Sequence, residues 1–121
     1  MSSVMTKFHL DGLPFGAVLH RFTGPDLGDP HDHPWPFRSF ILSGGYVEAV
    51  YSLKYGYEGT RTHPVGASFF VPASHIHRII HLIDDECWTL ILPGEPERTP
   101  GFYRWVNGEP QHRFWDQPWP S

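Results

Sequence analysis

The sequence is short of several things, and each shortage closes a class of explanation. Its 121 residues contain one cysteine, Cys87. A single cysteine forms neither an internal disulfide nor a cysteine-based zinc cluster, and an unbridged chain suits a reducing compartment. Cys87 sits in the apolar run ECWTLIL and reads as a buried, inert thiol. Basic residues are few and scattered: 9 Lys and Arg stand against 13 Asp and Glu, for a net charge of −4 with His neutral. No basic stripe exists to grip phosphates, so nucleic acid is not an expected partner. Long hydrophobic runs are also missing. Stretches such as FILSGGYV are too short to span a membrane. The opening MSSVMTKFHL lacks the basic-then-apolar layout of a secretory signal, so a cytoplasmic location is the default expectation. The sequence has no helix-period segment of ten residues, no Gly-rich phosphate loop opening a helix and no G-x-S-x-G elbow.

What is present is turn chemistry, aromatic mass and histidine. The chain has 12 glycines, 13 prolines and 16% aromatic residues. Short apolar segments punctuated by Gly and Pro are the all-β pattern. Strands are expected near 15–23, 38–43, 46–55, 58–63, 67–72, 76–83, 86–92 and 102–106. Residues 46–55 alternate, with Val47, Ala49, Tyr51 and Leu53 on one face and Glu48, Ser52 and Lys54 on the other. Glu48, opposite the apolar face, is expected to be solvated. The tail HRFWDQPWPS carries Trp115 and Trp119 and is expected to pack on the domain. One domain over 1–121 is the expectation, with a barrel core near 15–106 and packed terminal extensions. Strand count alone leaves a sandwich, a barrel or a jelly roll.

Six of the nine histidines lie between residues 31 and 81. Strand side chains alternate, so positions i and i+2 share a face. His31-Asp32-His33 therefore sends both imidazoles one way and Asp32 the other. His75-Ile76-His77 repeats the geometry, and His81 is expected to continue the face of His77 and Ile79. Two such units on different strands could close a three- or four-nitrogen metal site inside a barrel. The plain alternative is paired surface histidines. Isolated His9, His20, His63 and His112 read as surface or hydrogen-bonded side chains.

His31-Asp32-His33, followed by Arg38 and Gly45, resembles the first motif of the cupin superfamily. Gly66, Pro72 and His77 match its second motif in register. The phrase HDHPWPFRSFILSGGYVE is also similar to a group of small uncharacterised bacterial and phage cupins. The resemblance implies a double-stranded β-helix, that is, a jelly-roll barrel, with His31, His33 and His77 as metal ligands. His75, His81 and Asp32 are further candidates as extra ligands or as partners that orient a ligand imidazole. Three departures stand out. Arg38 occupies the motif's glutamate position, Ser74 replaces its second glycine, and His81 replaces its final asparagine.

Cupins with three histidines and no carboxylate resemble the thiol dioxygenase branch. That likeness implies one divalent transition metal, Fe(II) first, with Zn, Ni, Mn or Cu also compatible by ligand type. It implies a dioxygenase-type oxidoreductase acting on a small polar molecule. Arg38 is expected either to clamp an anionic substrate group through its two-pronged guanidinium or to face solvent. Trp35, Tyr46 and Glu48 are further substrate-site candidates, and Trp35, Phe37 and Tyr46 fit a core role equally. Two other classes stay open: a binding module without turnover, and a metal-free sugar-nucleotide isomerase or epimerase. A twofold homodimer is expected, as the commonest closed symmetry.

Overall fold

Turn residues at short intervals leave room only for short strands, and the chain folds as ten of them, with no helix among the described residues. The structure, a computed structural model, describes residues 4–120, so residues 1–3 and 121 of the expected domain lie outside it. The strands are β1 (Met5–His9), β2 (Val18–Phe22), β3 (Phe37–Ser43), β4 (Gly45–Ser52), β5 (Gly56–Pro64), β6 (Ser68–Val71), β7 (Ile76–Leu82), β8 (Cys87–Pro93), β9 (Gly101–Val106) and β10 (Glu109–Phe114). Every pairing between them is antiparallel.

One sheet has the order β1-β2-β8-β3-β6, and a second has β5-β4-β7. The β9–β10 hairpin joins the second sheet through a single residue. His31 bridges His77 on one side and Phe102 on the other. The core between the sheets is Phe22, Ile41, Tyr46, Ile79, Leu82 and Cys87, with Met5, Ala67 and Phe69 packed against it. Cys87 is buried as expected, and burial pushes its thiol pKa up, which suits an inert side chain.

Local chemistry explains the joints. Gly44 and Gly45 both have positive φ, +84° and +102°, where only glycine rests without strain. A Cβ on Gly44 would collide with the Glu86 carbonyl, so this dipeptide lets β3 turn into β4 directly against the start of β8. Two elements were not foreseen, β1 and β10. Both are edge strands of little apolar alternation. Pro110 lies inside β10, where an edge tolerates a residue that donates no hydrogen bond.

Bulges reset the face of two strands. Leu42 is the extra residue where β3 pairs with β8, and Ile80 is the extra residue where β7 pairs with β4. Inside a bulge the two-residue period slips by one. Ile79 and Leu82 therefore both point into the core, while His81 is exposed. The expectation that His81 continues the face of His77 is corrected for this reason.

Candidate metal centre

The Pro30-flanked turn delivers His31 and His33 between β7 and β9. The His31 amide donates to the His77 carbonyl and the His77 amide to the His31 carbonyl, each at 3.0 Å. Such a closed antiparallel pair puts both side chains on the same face. His33 is fixed separately, its amide donating to the Ala73 carbonyl at 3.0 Å. The preceding loop is pinned to β7. The Asp26 amide donates to the Ile79 carbonyl at 2.8 Å, and the Ile79 amide donates to the Asp26 carboxylate at 2.7 Å.

The three rings converge. Their centroids stand 5.0 Å apart for His31 and His77, 4.8 Å for His33 and His77, and 5.7 Å for His31 and His33. A metal–nitrogen bond of about 2.1 Å puts each ring centre about 3.2 Å from a shared ion, so tetrahedral ligands would have centres about 5.3 Å apart. The observed distances bracket that value. His33 Nε2 and His77 Nδ1 are buried and have no hydrogen-bond partner. Buried orphan nitrogens are costly unless something else binds them. Burial, then repulsion from His77, lowers the pKa of His31. Burial, then repulsion from His77, His31 and His75, pushes His33 down to about 2. Both are therefore neutral at physiological pH, which is the form that binds a metal. Neutral imidazoles are donors that a transition ion takes, but the donor atoms gathered within 4.8 Å of one another belong to Glu48, His75 and His77, so His31 and His33 bring ring spacing and chemistry to the site and not a closed set of ligand atoms.

Asp32 leaves this cluster by strand parity. It is 4% exposed, and its carboxylate accepts from Arg98 Nη1 at 2.8 Å, the Gly101 amide at 2.8 Å and the Tyr103 hydroxyl at 2.9 Å. All three bonds go to β9 and the loop before it. Asp32 thus ties the H-D-H segment to β9, and none of these three partners is a histidine. Its candidacy as a metal ligand is corrected accordingly.

For Glu48 the expected solvation is corrected, while its candidacy for the site is kept by its neighbours. It is 2% exposed, not solvated. The inner face of β4 carries Tyr46 and Glu48, while the outer face is partly covered by the β9–β10 hairpin, where Tyr51 stacks on Trp105 at 5.2 Å. Both faces of β4 are packed, so the apolar face was not the interior one. The Glu48 carboxylate meets His75 Nε2 at 2.6 Å and His63 Nε2 at 2.8 Å, with His77 Nδ1 at 3.7 Å. Burial pushes its pKa up, but the hydrogen bonds from His63 and His75, with the His77 imidazole close by, outweigh that and hold the carboxyl below the usual range. The donor atoms of Glu48, His75 and His77 all lie within 4.8 Å of one another. A carboxylate is therefore not missing from the cluster; it comes from β4 instead of the motif position. His63 joined no sequence motif, so only its structural neighbours reveal it.

The imidazoles of His31, His33 and His77 line a cavity of about 250 Å³. Its walls include Phe22, Trp35, Phe37, Tyr46 and Ile91, with Lys7 and His20 also lining it. Trp35 meets Phe37 edge-on at 5.6 Å, and Phe37 meets His33 edge-on at 5.0 Å. Trp35 and Tyr46 thus line the cavity, and Tyr46 also belongs to the core. Glu48, His63 and His75 line a separate cleft of about 40 Å³ with Arg61, Phe69 and Phe70. Arg38 lines neither; it is exposed on the outer face of β3 and donates to the Ser68 hydroxyl at 3.1 Å. The clamp role considered for it is corrected: the inward residue at that point is Ser39, 1% exposed.

No family model matches the chain, and no curated protein matches it. Solved structures do. The polyketide cyclase RemF from Streptomyces resistomycificus matches at TM-score 0.59 and 20% identity, over 78% of this chain and 68% of that one. The DMSP lyase DddQ from Ruegeria pomeroyi DSS-3 matches at 0.58 and 21% identity, over 79% of this chain and 50% of that one. An oxalate oxidase in complex with the substrate analogue glycolate matches at 0.60 and 17% identity, over 82% of this chain and 55% of that one. This chain spans about half the length of the latter two. Likeness at these identities is likeness of fold: a jelly roll of antiparallel strands, the fold that the cupin-like motifs imply.

Proposed function

We propose that this chain is a metal-dependent enzyme that holds one divalent transition ion on His31, His33 and His77 and acts on a small polar molecule in the adjoining cavity. The observation that carries this reading is the convergence of three imidazoles at one cavity wall, with His33 Nε2 buried and unpartnered. Imidazole ligands suit Fe, Zn, Ni and Cu, and Fe(II) is the ion we favour, on the resemblance to three-histidine dioxygenases. Bound there, Fe(II) would supply one-electron chemistry and open positions for oxygen and substrate.

The chain's own residues do the rest. The reciprocal His31–His77 backbone pair fixes two ligands relative to each other before any ion arrives, which lowers the ordering cost of binding. Phe37 packs edge-on against His33, and Trp35 packs edge-on against Phe37, which limits the freedom of the His33 ring. The cavity volume corresponds to roughly eight waters at ~30 Å³ each, so the ligand it suits is small. Its mainly apolar wall favours a molecule with an apolar body and one polar end.

A second ligand set has its own support: Glu48, His75 and His77, whose donor atoms are the most closely gathered. Metal stoichiometry separates the two. Protein purified without an affinity tag is stripped, offered Fe(II), Ni(II) and Zn(II) at neutral pH, and assayed for bound metal. His77→Ala should lose the ion under either set. Loss in His31→Ala with retention in His75→Ala supports the three-histidine set, and the reverse supports the carboxylate set. A wild type that stays metal-free with all three ions overturns the reading. Oxygen uptake by the Fe(II)-loaded wild type then separates an oxygen-using enzyme from a binding module without turnover.

A further inference from the structure

We propose that His63 is a positioning residue that locks the Glu48 carboxylate and, through it, sets the affinity of the imidazole cluster for its metal. The inference rests on the metal-binding reading above. It starts from the two oxygens of one buried side chain. Glu48 Oε1 faces His75 at 2.6 Å and His77 at 3.7 Å, while Oε2 faces His63 at 2.8 Å. A carboxylate held at only one oxygen can rotate about its last bond, which is soft. A bond to each oxygen removes that freedom.

His63 is itself well fixed. It lies on β5 directly opposite Tyr46 of β4. Its ring stacks on Phe69 at 3.9 Å with the planes 19° apart, and lies 5.1 Å from the Tyr46 ring. Two strands and an aromatic stack therefore aim its Nε2 at Glu48. The chain of contacts runs Phe69, His63, Glu48, His77, and ends at a cavity-lining imidazole. His63 does not line that cavity and is not among the gathered donor atoms; its one hydrogen bond to the cluster is to Glu48. This holds for either ligand set, since His77 belongs to both. Partners that orient a ligand from outside the coordination sphere commonly change metal affinity 10–100-fold.

The test uses two variants of the full chain. His63→Phe keeps the ring stack on Phe69 and loses the N–H donor. His63→Gln loses the ring and keeps an amide donor of similar reach. Zn(II) affinity is measured by competition with a chromophoric chelator, alongside the Co(II) absorption spectrum and the metal-free melting temperature. The expected result is a 10–100-fold weaker Zn(II) affinity for His63→Phe, with an altered Co(II) spectrum, and affinity within about 3-fold of wild type for His63→Gln. A role in packing alone predicts the opposite order, with the ring-keeping variant the less affected, and that order overturns the inference. Equal affinity for wild type and His63→Phe overturns it as well. A wild type that binds no Zn(II) or Co(II) instead brings down the metal reading on which it stands. Should His63→Phe fail to fold, the inference stands or falls on His63→Gln: affinity near wild type supports it, and a loss of tenfold or more overturns it.

Discussion

Two carboxylates are buried in this protein to nearly the same degree, and they are held in different ways. Asp32, 4% exposed, takes its bonds from a guanidinium, a backbone amide and a phenol. Glu48, 2% exposed, takes its bonds from imidazoles. The amide and the guanidinium are donors that cannot become acceptors. Imidazoles can be either, by exchange of tautomer. Asp32 is thus held in one hydrogen-bonding arrangement by neighbours that serve the fold, whereas Glu48 sits among groups whose protons can rearrange when a metal or ligand arrives. Burial alone would have ranked the two residues as equals; the chemistry of their partners separates structural work from site chemistry.

The comparison breaks most visibly on the isosteric amides. In Asp32→Asn the new NH₂ must face either the Gly101 amide or Arg98, both donors. One buried donor goes unmet and Arg98 loses its counter-charge. The expected cost is about 3 kcal/mol, near the low end for breaking a buried pair because Arg98 is partly exposed. That corresponds to a melting temperature about 10 °C lower. In Glu48→Gln the amide can donate to one imidazole and accept from the other, so metal-free stability should move by no more than about 1 kcal/mol. Metal affinity should fall in Glu48→Gln and hold in Asp32→Asn. Chemical denaturation and metal competition on both variants check this. Equal destabilisation of the two would erase the distinction.

Acid sharpens the same contrast with a smaller effect. Burial, then repulsion from Lys7 and His9, lowers His20 to about 4, against about 6.5 in an unfolded chain. Between those values the unfolded state binds the proton and the folded state does not. Stability must therefore fall as pH falls from about 6.5 to about 4. At about 1.4 kcal/mol per pH unit, discounted for the partial exposure of His20, its share of the loss is about 2 kcal/mol, and His31 and His33, also held neutral by burial, add to the loss in the same window. Glu48 adds a lower window: its carboxyl is held below the usual range, so its contribution is lost only below about pH 4.5. Melting curves from pH 7 to 4 should show the decline, and His20→Gln should flatten its upper part. A wild-type profile that is level from pH 7 to 4.5 would contradict this account.

The sequence reading reached the jelly roll because Gly and Pro spacing, alternation and two motif registers all pointed one way. His31 and His33 were legible because a two-residue period survives wherever a segment stays extended. His81 was misplaced because a bulge at Ile80 breaks that period, and no residue type announces the bulge. Glu48 was misplaced because alternation gives two faces without saying which one is inside. The C-terminal hairpin that covers the other face of β4 lies some fifty residues away, with Trp105 stacking on Tyr51. His63 had no motif to belong to; its role arises from cross-strand pairing with Tyr46, which is tertiary information.

Arg38 supplies the smallest expected effect and a control for the comparison. It holds the position where the motif places a carboxylate, so sequence logic offered it a part in the site. The strand places it elsewhere. Phe37 and Ser39 flank it and line the cavity, so the two-residue period turns Arg38 outward. Its one bond, to the Ser68 hydroxyl, lies in water on the β3–β6 pairing, where such a contact adds little. Arg38→Ala and Arg38→Lys should therefore leave stability within about 0.5 kcal/mol of wild type, with metal stoichiometry and affinity unchanged. Chelator competition and denaturant midpoints on the two variants provide the check. A loss of metal in Arg38→Ala, or a Lys variant that behaves unlike wild type, would mean that the guanidinium reaches the cluster in solution. The placement of β3 would then have to be revised before the contrast between Asp32 and Glu48 could stand.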